Sequence, residues 1–548
     1  SLVGSEMCIR DRNISVINNE IMDALFGIDI IAETPGLIWD ISINGNKIYD
    51  STFDAIWVHN VLRGLLIEEN EIYNNSDDGI FLWDCKNAII RENMISGNSY
   101  GIFLLDSNYT NVYLNTFIGN EYHVADFSSG SNYFDNGSYG NFWNDYTGAD
   151  QDSDFIGDTP YGGIDNYPLM RVHYYFTEPI PKWSFIVYMA GANNLEFSAL
   201  NDFLEMSRVG SSSEMNVIVL LDRISGFDTR YDDWTTTRIY YVAPGITPNN
   251  DSYLYAQGDY ELNTGDYYTL IDYLSWVLEY YPAEHYFLVL WDHGGGWVGC
   301  CWDDESDRSY ITIYDLDYAL ETVNWYYPEF YLDIIGFDAC LMGNLEVACT
   351  ITNDFIGYMI GSEEIEPGYG WPYSDILSFL DQYLDATPDF IADMVAYLYV
   401  ESYNYGSQGI NTFVTQSVID LQNVNESLIY AVSVFAKEVL RRYDSFRPEI
   451  LAALYDTETF GVEYDFIDLY DFAENLESLI TDAQFINVVE DLLSILDDVI
   501  IASYSLDDHP NAHGMSIYKG TSPYSEEYDL SLIHISEPTR LGMISYAV

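Results

Sequence analysis

The sequence predicts two folds in one chain: an all-β solenoid at the N-terminal side, then an α/β domain with a mostly parallel sheet covered by helices on both faces. Three observations predict this. Short segments recur at intervals of 22–24 residues up to about residue 141. Beyond residue 183 the period changes, and apolar strands alternate with amphipathic helices. A chain of 548 residues, 48% apolar and 16% aromatic, is too long for one ordinary domain and rich enough for real cores.

The solenoid spans 13–145. Gly79–Leu82 and Gly101–Leu104 are the same tetrapeptide, GIFL, 22 residues apart. Asn93-Met-Ile-Ser-Gly-Asn98 and Asn115-Thr-Phe-Ile-Gly-Asn120 repeat at the same shift, and Asn46-Lys-Ile-Tyr-Asp50 and Asn70-Glu-Ile-Tyr-Asn74 at 24. Asparagine suits the corners because it tolerates left-handed backbone and can hydrogen-bond between coils. A leucine-rich frame is absent. Residues 146–182 read as an acidic loop and a linker containing Pro179 and Pro181. In the loop, Asp150, Asp152, Asp154 and Asp158 alternate as the oxygen ligands of a calcium loop do. Phe155 in place of the turn glycine, and no glutamate at the twelfth position, leave a solvated acidic loop as the alternative.

In the α/β region, 183–530, strands are expected at Ser184–Met189, Met215–Leu221, His285–Leu290 and Tyr331–Gly336, with helices at Leu195–Val209 and Tyr267–Tyr281. Ligand sites in such sheets lie beyond the carboxyl ends of the strands. One strand is followed by Trp291-Asp-His293-Gly-Gly-Gly-Trp297, another by Phe337-Asp338-Ala-Cys340-Leu-Met-Gly343. A histidine and a cysteine at neighbouring strand tips suit nucleophilic catalysis, the imidazole taking the thiol proton and returning one to a leaving amine. Glycines after His293 let backbone amides approach a developing oxyanion; the hole is assigned to Gly294 and Cys340. Cys340 is expected to open a helix whose N-terminus lowers the thiol pKa. Asp338 can point into the adjoining pocket or cap that helix. Cys349 reads as core.

Charge narrows the partners. With 88 acidic and 19 basic residues, net −69, nucleic acid is excluded because phosphate contacts need cations. No apolar stretch of membrane-spanning length occurs. Six cysteines, without CxxC or Cys/His spacing, make neither a disulfide scaffold nor a zinc site. From Ser309 to Ala436 there is no Lys or Arg, and Arg308 is the basic residue between His293 and Cys340.

The solenoid segment resembles the pectate-lyase-like right-handed parallel β-helix repeats of surface and polysaccharide-active proteins. The strand-His-Gly and strand-Asp-Ala-Cys pattern resembles the caspase-like clan of cysteine peptidases, and within it the clostripain family. The likeness runs from Trp183-Ser-Phe-Ile-Val-Tyr-Met-Ala190 through the two strand-tip motifs, Ser362-Glu-Glu-Ile-Glu-Pro-Gly-Tyr-Gly-Trp-Pro-Tyr373 and Asp468-Leu-Tyr-Asp-Phe-Ala473, to Ala512-His-Gly-Met-Ser-Ile-Tyr518. It departs at Ala192, where the family usually has aspartate; an effect on local structure rather than on the dyad is expected.

The resemblance implies a cysteine endopeptidase cleaving after Arg or Lys, with Cys340 as nucleophile, His293 as general base and Asp338 at the floor of the S1 pocket, joined by Glu363 or Glu364. It implies maturation by self-cleavage, assigned to Arg308. No cofactor is required for the chemistry, and calcium is implied by the family and the aspartate loop. The implied partners are basic peptides and, for the solenoid, polysaccharide or cell envelope; the implied location is extracellular or surface. Residues 1–12 and 531–548 resemble translated sequencing-adapter read-through and hold three of the 19 basic residues, Arg10, Arg12 and Arg540; a signal peptide is expected to have been lost with the true N-terminus. The rival from another class is a non-catalytic surface adhesin or carbohydrate-binding protein on a peptidase-like scaffold, against which an intact dyad argues. A β-helix lyase or hydrolase would need basic groups that are nearly absent.

Overall fold

The computed structural model describes residues 2–3, 14–32, 38, 40–150, 156–172, 180–249, 255–256, 261–462 and 465–519. The chain divides into two compact units: Ser1–Pro181 with the short segments Ser207–Asn216 and Ile239–Ala256, and the remainder.

The first unit is a parallel β-helix. Three sheets of seven, five and five strands are built from one short strand per coil. The repeat shift sets the register: Ile80, Phe81 and Leu82 pair with Ile102, Phe103 and Leu104, and Ile48 and Tyr49 with Ile72 and Tyr73. Alternation sends every second side chain inward. The inner rows Ile21–Ile48–Ile72–Ile95–Phe117 and Val16–Ile43–Ile67–Ile90–Val112 belong to one buried apolar core.

The corner asparagines form a continuous ladder. Asn46 Nδ2 donates to Asn70 Oδ1 at 2.9 Å, Asn70 to Asn93 at 2.8 Å, Asn93 to Asn115 at 2.9 Å and Asn115 to Asn141 at 2.9 Å. Each Oδ1 also accepts the backbone N–H of the previous coil's asparagine. A side-chain amide is donor and acceptor at once, so it can repeat indefinitely along a stack. Buried Asp165 closes the ladder, accepting from Asn141 N–H at 2.7 Å and Trp143 Nε1 at 2.8 Å. The described residues 156–172 therefore complete the last coil, which extends the solenoid beyond the boundary expected at 145. Asp152 and Asp154 lie outside the described residues.

The second unit holds the α/β domain, apart from residues 207–209 and 215–216 at the ends of two of its elements. Its elements are β1 (Trp183–Met189), α1 (Glu196–Val209), β2 (Met215–Leu221), α2 (Tyr267–Tyr280), β3 (His285–Trp291), β4 (Leu332–Asp338), α3 (Leu345–Ile351), β5 (Ile356–Gly361), β6 (Thr415–Asp420) and β7 (Ile500–Ser505). These strands lie in the order β2-β1-β3-β4-β5-β6-β7. β1, β3, β4 and β5 run parallel, while β5–β6 and β6–β7 pair antiparallel. Every residue of β1, β2 and β4 is buried, as both faces of a covered parallel sheet require. α2 contributes Leu270, Leu274, Val277 and Leu278 to that cover, from one stripe of its surface. Among the described residues, no helix is long and apolar enough to cross a membrane.

Asn93→Ala should lower stability by about 2–3 kcal/mol, because it leaves buried Asn70 N–H and Asn115 Oδ1 short of partners. The shift of the solenoid's unfolding transition in a chemical melt measures it, and an exposed control such as Asn136→Ala should move it little.

Candidate active site

Strand register assembles the site. Met189 of β1 pairs with Trp291 of β3, and Trp291 with Asp338 of β4, so three parallel strands end on one row. His293 and Cys340 each stand two residues past that row. The loop after β1 contributes Asn193 and Asn194 to the same edge.

His293 is half-buried, and its Nε2 lies 3.0 Å from Asn194 Oδ1. An amide oxygen can only accept, so this contact selects the Nε2–H tautomer and leaves the Nδ1 lone pair as the basic site. Burial pushes the imidazole pKa below its ordinary 6.5, opposed by the Asp304 charge. The ring is therefore a neutral base at neutral pH. Buried Asp292 steadies the loop: its Oδ1 accepts from Asn193 Nδ2 at 2.6 Å and its Oδ2 from the Trp302 amide.

Cys340 sits in a turn. No helix begins there: α3 starts at Leu345, and its N-cap is Asn344, which accepts from Glu346 and Val347 N–H. The thiol pKa is accordingly raised by burial, with backbone hydrogen bonds from Glu366 and Gly294 offsetting part of the rise. The expectation of a helix-lowered thiol fails because the chain needs four more residues before a helix can start. The Sγ–H donates to Glu366 O at 3.9 Å. Gly294 lies hard against this turn: a Cβ there would stand 2.2 Å from Cys340 O and 2.8 Å from Cys340 N. Only glycine lets the two backbones approach so closely, which is the arrangement an oxyanion hole from Gly294 and Cys340 needs.

Asp338 is no helix cap either. It is buried, and its Oδ2 accepts from Tyr373 OH at 2.8 Å and Trp371 N–H at 3.2 Å. Two further buried carboxyls adjoin it. Glu366 shares a side-chain hydrogen bond with it. Asp202, which feels the Asp338 charge and whose Oδ2 accepts from Trp291 Nε1 at 2.8 Å, completes the group. Burial pushes Asp338 up to about 6 and holds Asp202 and Glu366 well above the carboxylate range. Glu363 and Glu364 do not join the group. Glu363 is buried and accepts from Gly514 N–H at 2.9 Å beside Asp468. Glu364 Oε1 accepts from Ile365 and Gly461 N–H, with Oε2 3.4 Å from His509 Nε2.

Three site residues escaped the sequence reading: Asn194, Asp202 and Glu366. Asn194 follows β1 as His293 follows β3, so the strand-tip rule applied to a third strand would have found it. It stands two residues after Ala192, so the departure from the family pattern lies beside the histidine's own partner. Glu366 is one of three glutamates in the loop after β5, and spacing does not tell which of them turns inward. Arg308 lies in the turn between the paired strands Cys300–Asp303 and Ser309–Ile311, with its side chain 81% exposed and 3.4 Å from Asp304. Cys349 is buried on α3, as expected of a core residue.

Residues 187–525 match the model of the clostripain family. The chain belongs to the clostripain family. Clostripain of Hathewaya histolytica is 28% identical over 219 residues, 36% of this chain and 41% of that protein. A secreted C11 cysteine protease from Bacteroides thetaiotaomicron, solved with an irreversible peptide inhibitor, covers 67% of this chain and 99% of its own at 19% identity and a TM-score of 0.48. Residues 5–148 match the model described as periplasmic copper-binding protein (NosD). A probable ABC transporter binding protein NosD of Stutzerimonas stutzeri is 29% identical over 135 residues, 23% of this chain and 31% of that protein. The chain thus spans under half the length of either curated relative.

His293 should titrate below 6.5 by NMR in the wild type, and above it in Asn194→Asp, because a carboxylate on Nε2 favours the imidazolium. Asn194→Ala should keep the low pKa but lose the fixed tautomer.

Proposed function

We propose that the chain is a secreted or surface-attached cysteine endopeptidase that cleaves after Arg or Lys. The observation that supports it most is the common strand-end row: nucleophile and base overhang it equally, and a buried carboxyl group of three residues adjoins the nucleophile. In this reading Cys340 Sγ attacks the peptide carbonyl while its proton passes to His293 Nδ1. The Gly294 and Cys340 amides bind the oxyanion. His293 then protonates the leaving amine, giving a thioester that water hydrolyses with the same imidazole as base. Because the thiol is raised and the imidazole lowered, the resting pair is neutral, and the proton moves with the attack rather than before it.

The P1 cation is recognised by charge. Three buried carboxyls cannot all ionise alone, and an incoming guanidinium lets them do so, so binding a basic P1 releases protons. The sign follows: Asp338 is raised to about 6, so Arg substrates should bind more tightly as pH rises through that value, and neutral-P1 substrates should not. Asp338→Asn should cost Arg substrates about 2–5 kcal/mol in kcat/KM and neutral ones far less. Cys340→Ala and His293→Ala should each lower hydrolysis of an Arg-aminomethylcoumarin peptide by several orders of magnitude with circular dichroism unchanged. Activity within tenfold of wild type in either variant would sink that residue's assignment, whereas a wild type with no alkylator-sensitive hydrolysis would favour the adhesin reading.

Exposed Arg308, in a polar turn, supports self-cleavage at the Arg308–Ser309 bond. Purified wild type should show a new N-terminus at Ser309, while Cys340→Ala should remain one chain.

For the solenoid we propose attachment to polysaccharide or cell envelope. An outward aromatic row supports it: Trp57, Phe81 and Phe103 are neighbours on adjacent strands, with Trp83 stacked on His59 at 4.1 Å. Calcium in the loop of Asp150 and Asp158 is a further proposal, resting on carboxylate spacing.

A further inference from the structure

The asparagine ladder satisfies its own polar atoms, but one place in the solenoid does not. Asp54 precedes the strand Ile56–His59, and Asp77 and Asp78 stand one coil further on, Asp78 opening the strand Asp78–Trp83. One carboxylate oxygen from each lies within 4.8 Å of the other two. Asp54 Oδ1 already accepts Asp78 N–H at 3.1 Å. Asp78 is 6% exposed, and its Oδ1 is buried with no hydrogen-bond partner. Among the described residues no Lys or Arg is ion-paired to any of the three.

A buried carboxylate oxygen aimed at two more carboxylates lacks a positive charge, and the backbone cannot yield one. The main chain at each position is committed to the coil ladder: Asp54 O accepts Gly27 N–H, Asp78 O accepts Ala55 N–H and Asp77 O accepts Ser99 N–H. We propose that Asp54, Asp77 and Asp78 form a divalent-cation site of calcium type that ties two successive coils together. The donors are all carboxylate oxygens, the set that hard cations prefer over soft ones. Oxygens about 2.4 Å from one ion can stand no more than about 4.8 Å apart, and the three carboxylates each offer an oxygen within that limit. Exposed Asp77 leaves one side open for the waters that complete a coordination shell of six to eight. A magnesium ion is the poorer fit, because it demands a tighter octahedron and gives up water reluctantly. The alternative occupant is a proton shared by Asp54 and Asp78, whose pKa values are raised to about 6 and about 8 by burial and by nearby carboxylates, Asp77 and Asp29 acting on Asp54, and Asp54 and Asp77 on Asp78. This site is independent of the peptidase reading and of the loop holding Asp150 and Asp158.

The test uses the full chain stripped with EDTA. Terbium serves as the probe, since Tyr100 neighbours Asp78 in strand register and can sensitise its luminescence. Sensitised emission should appear, be displaced by calcium, and weaken at least tenfold in affinity in Asp78→Asn and Asp77→Asn, the second at an exposed position that does not threaten folding. Asp158→Asn should leave it intact. In an Asp158→Asn background, calcium should raise the melting temperature, and it should no longer do so once Asp77→Asn or Asp78→Asn is added. Emission or a calcium-induced shift that survives in both of these double variants would overturn the proposal. So would a melting temperature that falls as pH rises from 6 to 8 and is indifferent to calcium, which identifies the shared proton. Displacement by magnesium as readily as by calcium would overturn the choice of ion.

Discussion

In a parallel sheet, register decides which loops can meet, and here the pairing of Met189, Trp291 and Asp338 across three adjacent strands decides nearly everything about the site. Because these residues are level, equal overhangs bring His293 and Cys340 to the same height. The same row reaches the buried carboxyls. The Trp291 indole holds Asp202, and Asp338 is itself the last residue of its strand. A slip of two residues in either pairing would separate His293 from Cys340 or Asp202 from Asp338. Gly294 works within this constraint, since any side chain there would push the histidine loop off the cysteine turn.

The electrostatics of the site differ from a pre-formed thiolate–imidazolium pair. Burial disfavours charge on both partners, and acidic neighbours add to the cost of a thiolate. Buried carboxyls beside Cys340 burden a resting thiolate, and a protonated thiol avoids that cost. The acid group is tolerated in the empty protein because Tyr373, Trp371 and Trp291 donate to it, and because part of it stays protonated.

The solenoid displays two answers to stacking polar groups between coils. Asparagine amides pair head to tail and need nothing else, so that ladder runs unbroken from Asn46 to Asn141 and ends on a carboxylate that only accepts. Stacked aspartates have no donor to offer. Where Asp54 meets Asp77 and Asp78, the coil geometry that completes the amide ladder leaves an oxygen without a partner.

Much of this was legible in the residues. The repeat shift of 22–24 dictated coil length and strand register, because stacked coils must align like with like. Apolar runs marked β1 to β4 to within one or two residues, and the polar residues just beyond β3 and β4 marked the candidate site. What the residues could not convey was direction and depth. Local sequence does not reveal that Cys340 precedes its helix by a turn, that Asp338 turns toward Tyr373 rather than a helix end, or that Glu366 points inward while Glu363 and Glu364 turn to Gly514 and His509. Those choices depend on side chains from loops distant in sequence competing for the same few buried donors, and only the folded sheet brings them within reach. Periodicity is local and survives in the sequence; the pairing of buried charges is tertiary, and only the fold decides it.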